Sequence, residues 1–125
     1  MNVRVKRAYD PPAAGDGARI LVDHLWPRGV RKDTARIDEW MRDLAPSSEL
    51  RTWFQHDPAK WSEFRRRYFE ELNGKGEQLK RLMDFANDGS LTLVFAARET
   101  QFNNAVALKE YLEKKLRPRE RLMAS

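Results

Sequence analysis

Residues 3–9, VRVKRAY, alternate apolar and basic side chains, with Val3 and Val5 on one side. A period of two belongs to a strand with one covered face. DPPAAGDG (10–17) is a loop, because its prolines fix the backbone and its glycines permit turns. ARILVDHLW (18–26) has a continuous apolar centre, Ile20-Leu21-Val22, between turn-rich flanks. This pattern predicts a strand buried on both faces, as in parallel sheets. PRGVRKDTARID (27–38) reads as irregular and basic. IDEWMRDLAP (37–46) fits either a helix, through Ile37, Met41 and Leu44, or a short strand.

The period then lengthens to that of a helix. Ser47 is placed to cap a helix with Leu50, Trp53 and Phe54 on one face. Asp57-Pro58 starts another, since Asp accepts free N–H groups and Pro is tolerated at the first helical position. Trp61, Phe64, Tyr68 and Leu72 form its core stripe, and Glu63/Arg67, Arg66/Glu70 and Arg67/Glu71 are spaced for ion pairs on the opposite face. NGKG (73–76) breaks the pattern. Leu79, Leu82, Met83 and Ala86 mark a third helix, ended by NDGS (87–90). LTLVFAA (91–97) is a second buried strand. After RETQFNN (98–104), the residues Ala105, Leu108, Leu112 and Leu116 predict a final amphipathic helix stopped by Pro118.

Buried strands separated by helices predict an α/β fold: a single small domain, residues 1–116, with a short, mostly parallel sheet packed by helices. Residues 117–125 remain as a basic C-terminal tail. A chain of 125 residues supports one core. Its net charge of +5 is uneven, with +1 over residues 1–57 and +4 over residues 58–125. KKLRPRER holds five bases and one acid, a composition suited to a polyanion or to a solvated chain end. With no cysteine, disulfides, thiolate metal sites and thiol nucleophiles are excluded. The first residues lack the apolar run of a signal peptide, and LTLVFAA falls far short of the ~20 residues of a membrane span. The expectation is therefore a cytoplasmic protein without membrane contact.

The candidate chemistry gathers where the strands end. ILVDHLWPRG passes from core residues straight into a rigid, aromatic, cationic segment. In open parallel sheets, ligands bind beyond the carboxyl ends of the strands. Arg28 offers a fixed fork of donors to phosphate or carboxylate, with Pro27 and Gly29 shaping its turn; its structural alternative is pairing with a local Asp. Trp26 is placed to line a pocket. Asp23 is the candidate base, or else caps loop N–H groups. Arg98 follows the second strand, and Asn103 and Asn104 open the last helix, whose N-terminus favours anions. The alternative for Asn103 is that it caps that helix. His24 reads as a structural histidine of an apolar strand, and His56 lies at a helix–helix junction. Two histidines without ligand spacing predict no metal site. Neither GKG (74–76) nor GDG (15–17) is a phosphate loop, because neither links a buried strand to a helix. Arg65-Arg66-Arg67 beside Tyr68 and Phe69 reads as a solvated face or as a nucleic-acid patch.

VDHLWPRG, DEWMRDLAPS, WFQHDPAKWSEFRRRY and VFAAR…NNAVALKEYL, in this order over residues 3–116, resemble the YeaO-like family of bacterial proteins within domain of unknown function 488. The resemblance implies a small α/β domain without an assigned activity. Some members carry a transcriptional-regulator label, but no recognition helix followed by a β-wing is present in this pattern. Val22-Asp23-His24 is similar to the grouping's strand–Asp-Val-Arg pattern, with His24 in place of Arg. Phe102 stands where His is more usual. The grouping's Cys…Cys-His-Arg pattern is missing, so no thiol or metal chemistry carries over.

The functional reading of the sequence is a pocket at the strand ends for a small anionic ligand, phosphate- or carboxylate-bearing, with no cofactor. Whether the ligand is also acted on stays open, as does the oligomeric state. The alternatives are a nucleic-acid-binding module using the basic surface and tail, and a protein-interaction domain without a ligand.

Overall fold

The computed structural model describes residues 2–124, with the side chains from 116 onward outside the described part. Strands β1 (Asn2–Arg7), β2 (Ala18–Leu21), β3 (Glu39–Trp40) and β4 (Ser90–Phe95) form one sheet in the order β1-β4-β2-β3. Every pairing is parallel. Helices are α1 (Lys32–Ala35), α2 (Ser48–Phe54), α3 (Trp61–Asn73), α4 (Gly76–Asn87) and α5 (Asn104–Ala124). The expected α/β class is thus observed, with a sheet that is parallel throughout.

The last strand to be reached in sequence is inserted between the first two. β4 is therefore flanked on both edges and covered on both faces, which is why it is apolar from Leu91 to Phe95 except at Thr92, whose buried hydroxyl donates to the Asp16 carbonyl. Its side chains divide by the period of two. Leu91, Leu93 and Phe95 join the core formed with the helices, where Phe64, Tyr68, Leu72, Leu82, Leu108 and Leu112 are packed out of solvent. Each such side chain contributes about 1.5–3 kcal/mol through burial. Tyr68 keeps its polar end satisfied by donating to the Leu44 carbonyl. Burial pushes its phenol above the usual range, with the nearby carboxylates of Asp23 and Glu71 adding to the effect.

On the opposite face Val94 meets Leu21 and Ala8, covered by Trp26, Val30, Ile37 and Trp40. No long helix lies there. The cover is loop, and it carries a buried charge network. Arg19 alternates with Ile20 on β2 and so points into the loop side, where it is 3% exposed. Its Nη1 lies 2.6 Å from Asp16 Oδ2, and its Nε donates to the Ala35 carbonyl. Lys6 adds a second contact to Asp16 at 3.1 Å. Burial favours the neutral acid, but the Ala13 N–H, Lys6 and Arg19 outweigh it and hold the Asp16 carboxyl below its usual range.

The start of β2 crosses the start of β4 at Gly17, whose φ is +64°. A Cβ there would lie 2.1 Å from the Ser90 carbonyl oxygen, so only glycine fits.

The predicted caps are found: Ser47 accepts from the Leu50 N–H, and Asp57 from the Ala59 N–H with Pro58 next in line. Four expectations need correction. The stretch 27–38 contains a one-turn helix, α1. Strand β2 ends at Leu21, with one further bond from the Val22 N–H to Val94, because the chain turns away at Asp23. The expected Arg67/Glu71 pair is replaced: Glu71 instead accepts from the backbone and hydroxyl of Ser47, at 2.8 and 2.7 Å. Finally, α5 continues through Pro118. Proline costs one turn a hydrogen bond, while the Lys, Arg, Glu and Leu around it are strong helix formers. The side chains of the basic tail, 117–125, lie outside the described residues.

Candidate functional site

A cavity of about 580 Å³ opens at the carboxyl ends of β2 and β4. Three walls build it. The segment leaving β2 supplies Asp23 through Arg28, the C-terminal half of α2 and the turn after it supply Arg51 and Phe54 to His56, and the end of β4 supplies Ala96 and Ala97. Phe64 of α3 and Asn104 of α5 complete it.

Asp23 ties these walls together. Its Oδ2 accepts from the Ala96 N–H at 2.8 Å and its Oδ1 from the Asn104 amide at 3.2 Å. The same amide donates to the Val22 carbonyl at 3.0 Å. One carboxylate therefore joins the ends of β2 and β4 to the start of α5. Burial pushes the Asp23 carboxyl above the usual range; the Ala96 and Asn104 hydrogen bonds and the charges of His56 and Arg51 oppose this without cancelling it. Both oxygens have donors in place, as in the capping reading of this residue.

The Trp-Pro-Arg-Gly turn is shaped by everything in it except the Arg28 side chain. Trp26 donates through Nε1 to the Val30 carbonyl at 2.7 Å and packs edge-to-face on Trp40 at 5.7 Å. Trp40 in turn donates to the Asp23 carbonyl at 2.8 Å. Pro27 is buried, and Gly29 supplies a φ of +77°. The Arg28 carbonyl accepts from the Tyr9 hydroxyl at 3.0 Å, while its guanidinium is exposed on the cavity wall. Among the described residues no acid pairs with it. His24 also lines the cavity with an exposed side chain; the expected buried structural histidine is not found, because the chain has already left the sheet.

The structure thus brings Asp23, Trp26, Arg28 and Asn104 to one cavity. It leaves Arg98 and Asn103 out of the lining. Arg98 is exposed. Asn103 is fully buried and caps α5: its Oδ1 accepts from the Val106 N–H at 3.0 Å and its amide donates to the Glu99 carbonyl at 2.8 Å.

Sequence reasoning misses the α2 wall. Arg51 reaches the cavity while donating to the Pro46 carbonyl at 2.7 Å and to Ser48 Oγ, with no carboxylate partner among the described residues. Gln55 and His56 both adopt left-handed backbone, at φ +47° and +54°. Gln55 is the left-handed residue that ends α2, its N–H donating to the Arg51 carbonyl, as Arg36 ends α1, and His56 continues the turn. His56 is held by a 2.9 Å contact between Nδ1 and the Phe102 carbonyl. A carbonyl can only accept, so Nδ1 carries the proton and Nε2 is left as the acceptor of the ring. No local signal in QHDP announces this; the position of α2 over the strand ends is a tertiary result. Among the described residues no cluster of His, Asp or Glu is arranged to hold a metal ion.

The arginine triplet on α3 is occupied. Arg65 pairs with Glu110 at 2.8 Å, Arg66 with Glu63 and Glu70, and Arg67 with Glu63. Arg66 and Arg67 together pull the Glu63 carboxyl down to about 2. A face already neutralised by its own acids has little charge to offer phosphates. No helix among the described residues is long and apolar enough to cross a membrane.

Fold and cavity define a small parallel α/β domain with a pocket at the ends of two adjacent strands. The chain belongs to the family described as the inactive DUF488-N3 subclade, whose sequence profile matches residues 2–125. It is 43% identical over 112 residues to the uncharacterised protein YeaO of Escherichia coli, covering 90% of this chain and 97% of that one. It is 41% identical over 110 residues to the uncharacterised proteins Rv3073c of Mycobacterium tuberculosis and Mb3100c of Mycobacterium bovis, covering 88% of this chain and 92% of each. No solved structure matches.

Proposed function

We propose that this protein binds a small anionic ligand, phosphate- or carboxylate-bearing, in the cavity at the strand ends. One observation carries the reading: Arg28 and Arg51 line the same cavity, and neither has a carboxylate partner among the described residues. Guanidinium groups left without an acid at a concave, partly apolar surface are what anion recognition requires. The one carboxylate present, Asp23, already accepts from Ala96 and Asn104, and so acts as a clasp for the walls instead of a base. The subclade's description as inactive favours binding over turnover.

Isothermal titration with inorganic phosphate, acetate and larger anions tests this beside Arg28→Ala. Saturation at ~100 times the dissociation constant stabilises the fold by about 2.7 kcal/mol, so a thermal shift reports the same event. Binding by the native chain and its loss in the variant, with unchanged unfolding, is the expected result. Binding indifferent to Arg28 sinks the reading.

A further inference from the structure

We infer that the anion site extends past the cavity to Arg7 at the end of β1, so that its ligand carries two separated acidic groups, one held at Arg28 and Arg51 and the other at Arg7. The inference rests on the anion-binding reading above and narrows it. Three observations lead to it. The first is topology. β1 runs parallel to β4, with Arg7 opposite Phe95 at the last paired position. The carboxyl end of β1 therefore lies one strand spacing, about 4.8 Å, from the β4 end that forms a wall of the cavity.

The second is the anchoring of the Arg7 side chain. Its Nε donates to the Ala97 carbonyl at 3.0 Å and its Nη2 to the Ala96 carbonyl at 3.5 Å. Ala96 and Ala97 line the cavity, and the Ala96 N–H is a donor to Asp23. The same short segment thus touches both the cavity's carboxylate and the Arg7 guanidinium. Two neutral carbonyls orient that guanidinium without neutralising it. The neighbouring acid, Asp10, accepts from the Arg7 backbone N–H instead, and among the described residues no carboxylate pairs with the Arg7 side chain. Arg7 is half-buried, which leaves it open to solvent on one side.

The third is the link between the two cations. The Arg7 guanidinium sits 5.1 Å from the centre of the Tyr9 ring, and the Tyr9 hydroxyl donates to the Arg28 carbonyl. One side chain therefore joins Arg7 to the turn that presents Arg28. Oriented, unneutralised guanidiniums at a set spacing suit a ligand whose acidic groups match that spacing, because the second contact is then intramolecular.

The test is calorimetry on the full chain. Straight-chain diacids from succinate to pimelate are compared with monocarboxylates of equal length, and alkyl bisphosphates with the matching monophosphates. Each is titrated into native protein, Arg28→Ala, Arg7→Gln and a charge control, Arg4→Gln. Arg4 is exposed on the same strand but nearer its amino end, away from the cavity. The expected result is that one length of doubly acidic probe binds roughly three- to tenfold tighter than its singly acidic match. Arg7→Gln erases that gain while leaving the singly acidic probe unchanged, and Arg4→Gln preserves it. The carboxylate and phosphate series show which head group is preferred. If singly and doubly acidic probes bind alike, or the gain survives Arg7→Gln, or Arg4→Gln removes it equally, the second subsite is overturned, while loss of all binding in Arg28→Ala keeps the anion site. If no probe binds, or binding ignores Arg28, both fall. Should Arg7→Gln fail to fold, the native chain decides: a gain confined to one probe length supports the subsite and no gain overturns it.

Discussion

Asp23 and Asn104 lie 81 positions apart in the chain and meet at 3.2 Å, with the Asn104 amide shared between the Asp23 carboxylate and the Val22 carbonyl. The contact seats the start of α5 on the end of β2 and forms one wall of the cavity. Asn104→Ala leaves two partly buried acceptors without this donor. It should lower stability by about 1–3 kcal/mol in urea titrations. A change below a few tenths would show that the clasp contributes nothing to the fold.

The same carboxylate sets a pH dependence. Burial raises the Asp23 pKa above its unfolded value of 3.8, so the folded chain holds this proton more tightly than the unfolded one. Its contribution is fully present below the unfolded value and is lost as pH rises through the raised folded value. Asp23→Asn removes that loss. The stability of native protein relative to the variant should therefore fall on going upward from pH 3.8, measured by denaturant unfolding across the acid range. A difference that is flat with pH contradicts the burial argument.

Asp16 titrates the other way. The lowered Asp16 pKa stabilises the fold above the unfolded value and is lost as pH falls through the lower folded one. Removing one partner of a buried pair costs about 3–5 kcal/mol. The two deletions differ, however. Arg19→Met leaves Asp16 with Lys6 and the Ala13 N–H, whereas Asp16→Asn leaves the buried Arg19 with the Ala35 carbonyl and an Nη2 that has no partner. Asp16→Asn should be the more destabilising at neutral pH, and equal losses would refute this partition.

Two glycines with similar backbone angles give a further contrast. Gly17 and Gly29 have φ of +64° and +77°, but only Gly17 is crowded. Gly29→Ala should cost about 1–2 kcal/mol, the left-handed penalty alone. Gly17→Ala must also push apart β2 and β4 and should cost several times more. Thermal unfolding of the two variants separates strain from collision, and similar melting points would count against the crossing described for Gly17.

Much of this protein is determined within short windows of its sequence. ILV and LTLVF specify strands covered on both faces because parallel strands under two layers need apolar residues at consecutive positions. Ser47 and Asp57-Pro58 specify helix starts because capping is chemistry between near neighbours. Leu79, Leu82 and Ala86 specify a buried helical stripe for the same local reason. WPRG is legible as an exposed, shaped turn carrying a cation, and its position after a buried strand marks it as a site candidate.

Other features were decided only when the chain closed on itself. Insertion of β4 between β1 and β2 follows from which strands pair, and pairing is a contest among distant segments. It places Ala96 beside Asp23, draws Asn104 into the cavity and leaves Arg98 outside. Arg51, Phe54 and His56 reach the site because α2 lies over the strand ends, which nothing in SELRTWFQH encodes on its own. The Arg19–Asp16 pair is buried because loops and the one-turn α1, not a long helix among the described residues, cover that face of the sheet. Local hydrogen bonding and apolar spacing act over a few residues and can be read in order. The cavity depends on contacts between residues as far apart as Val22 and Asn104, and only the folded sheet brings them within reach.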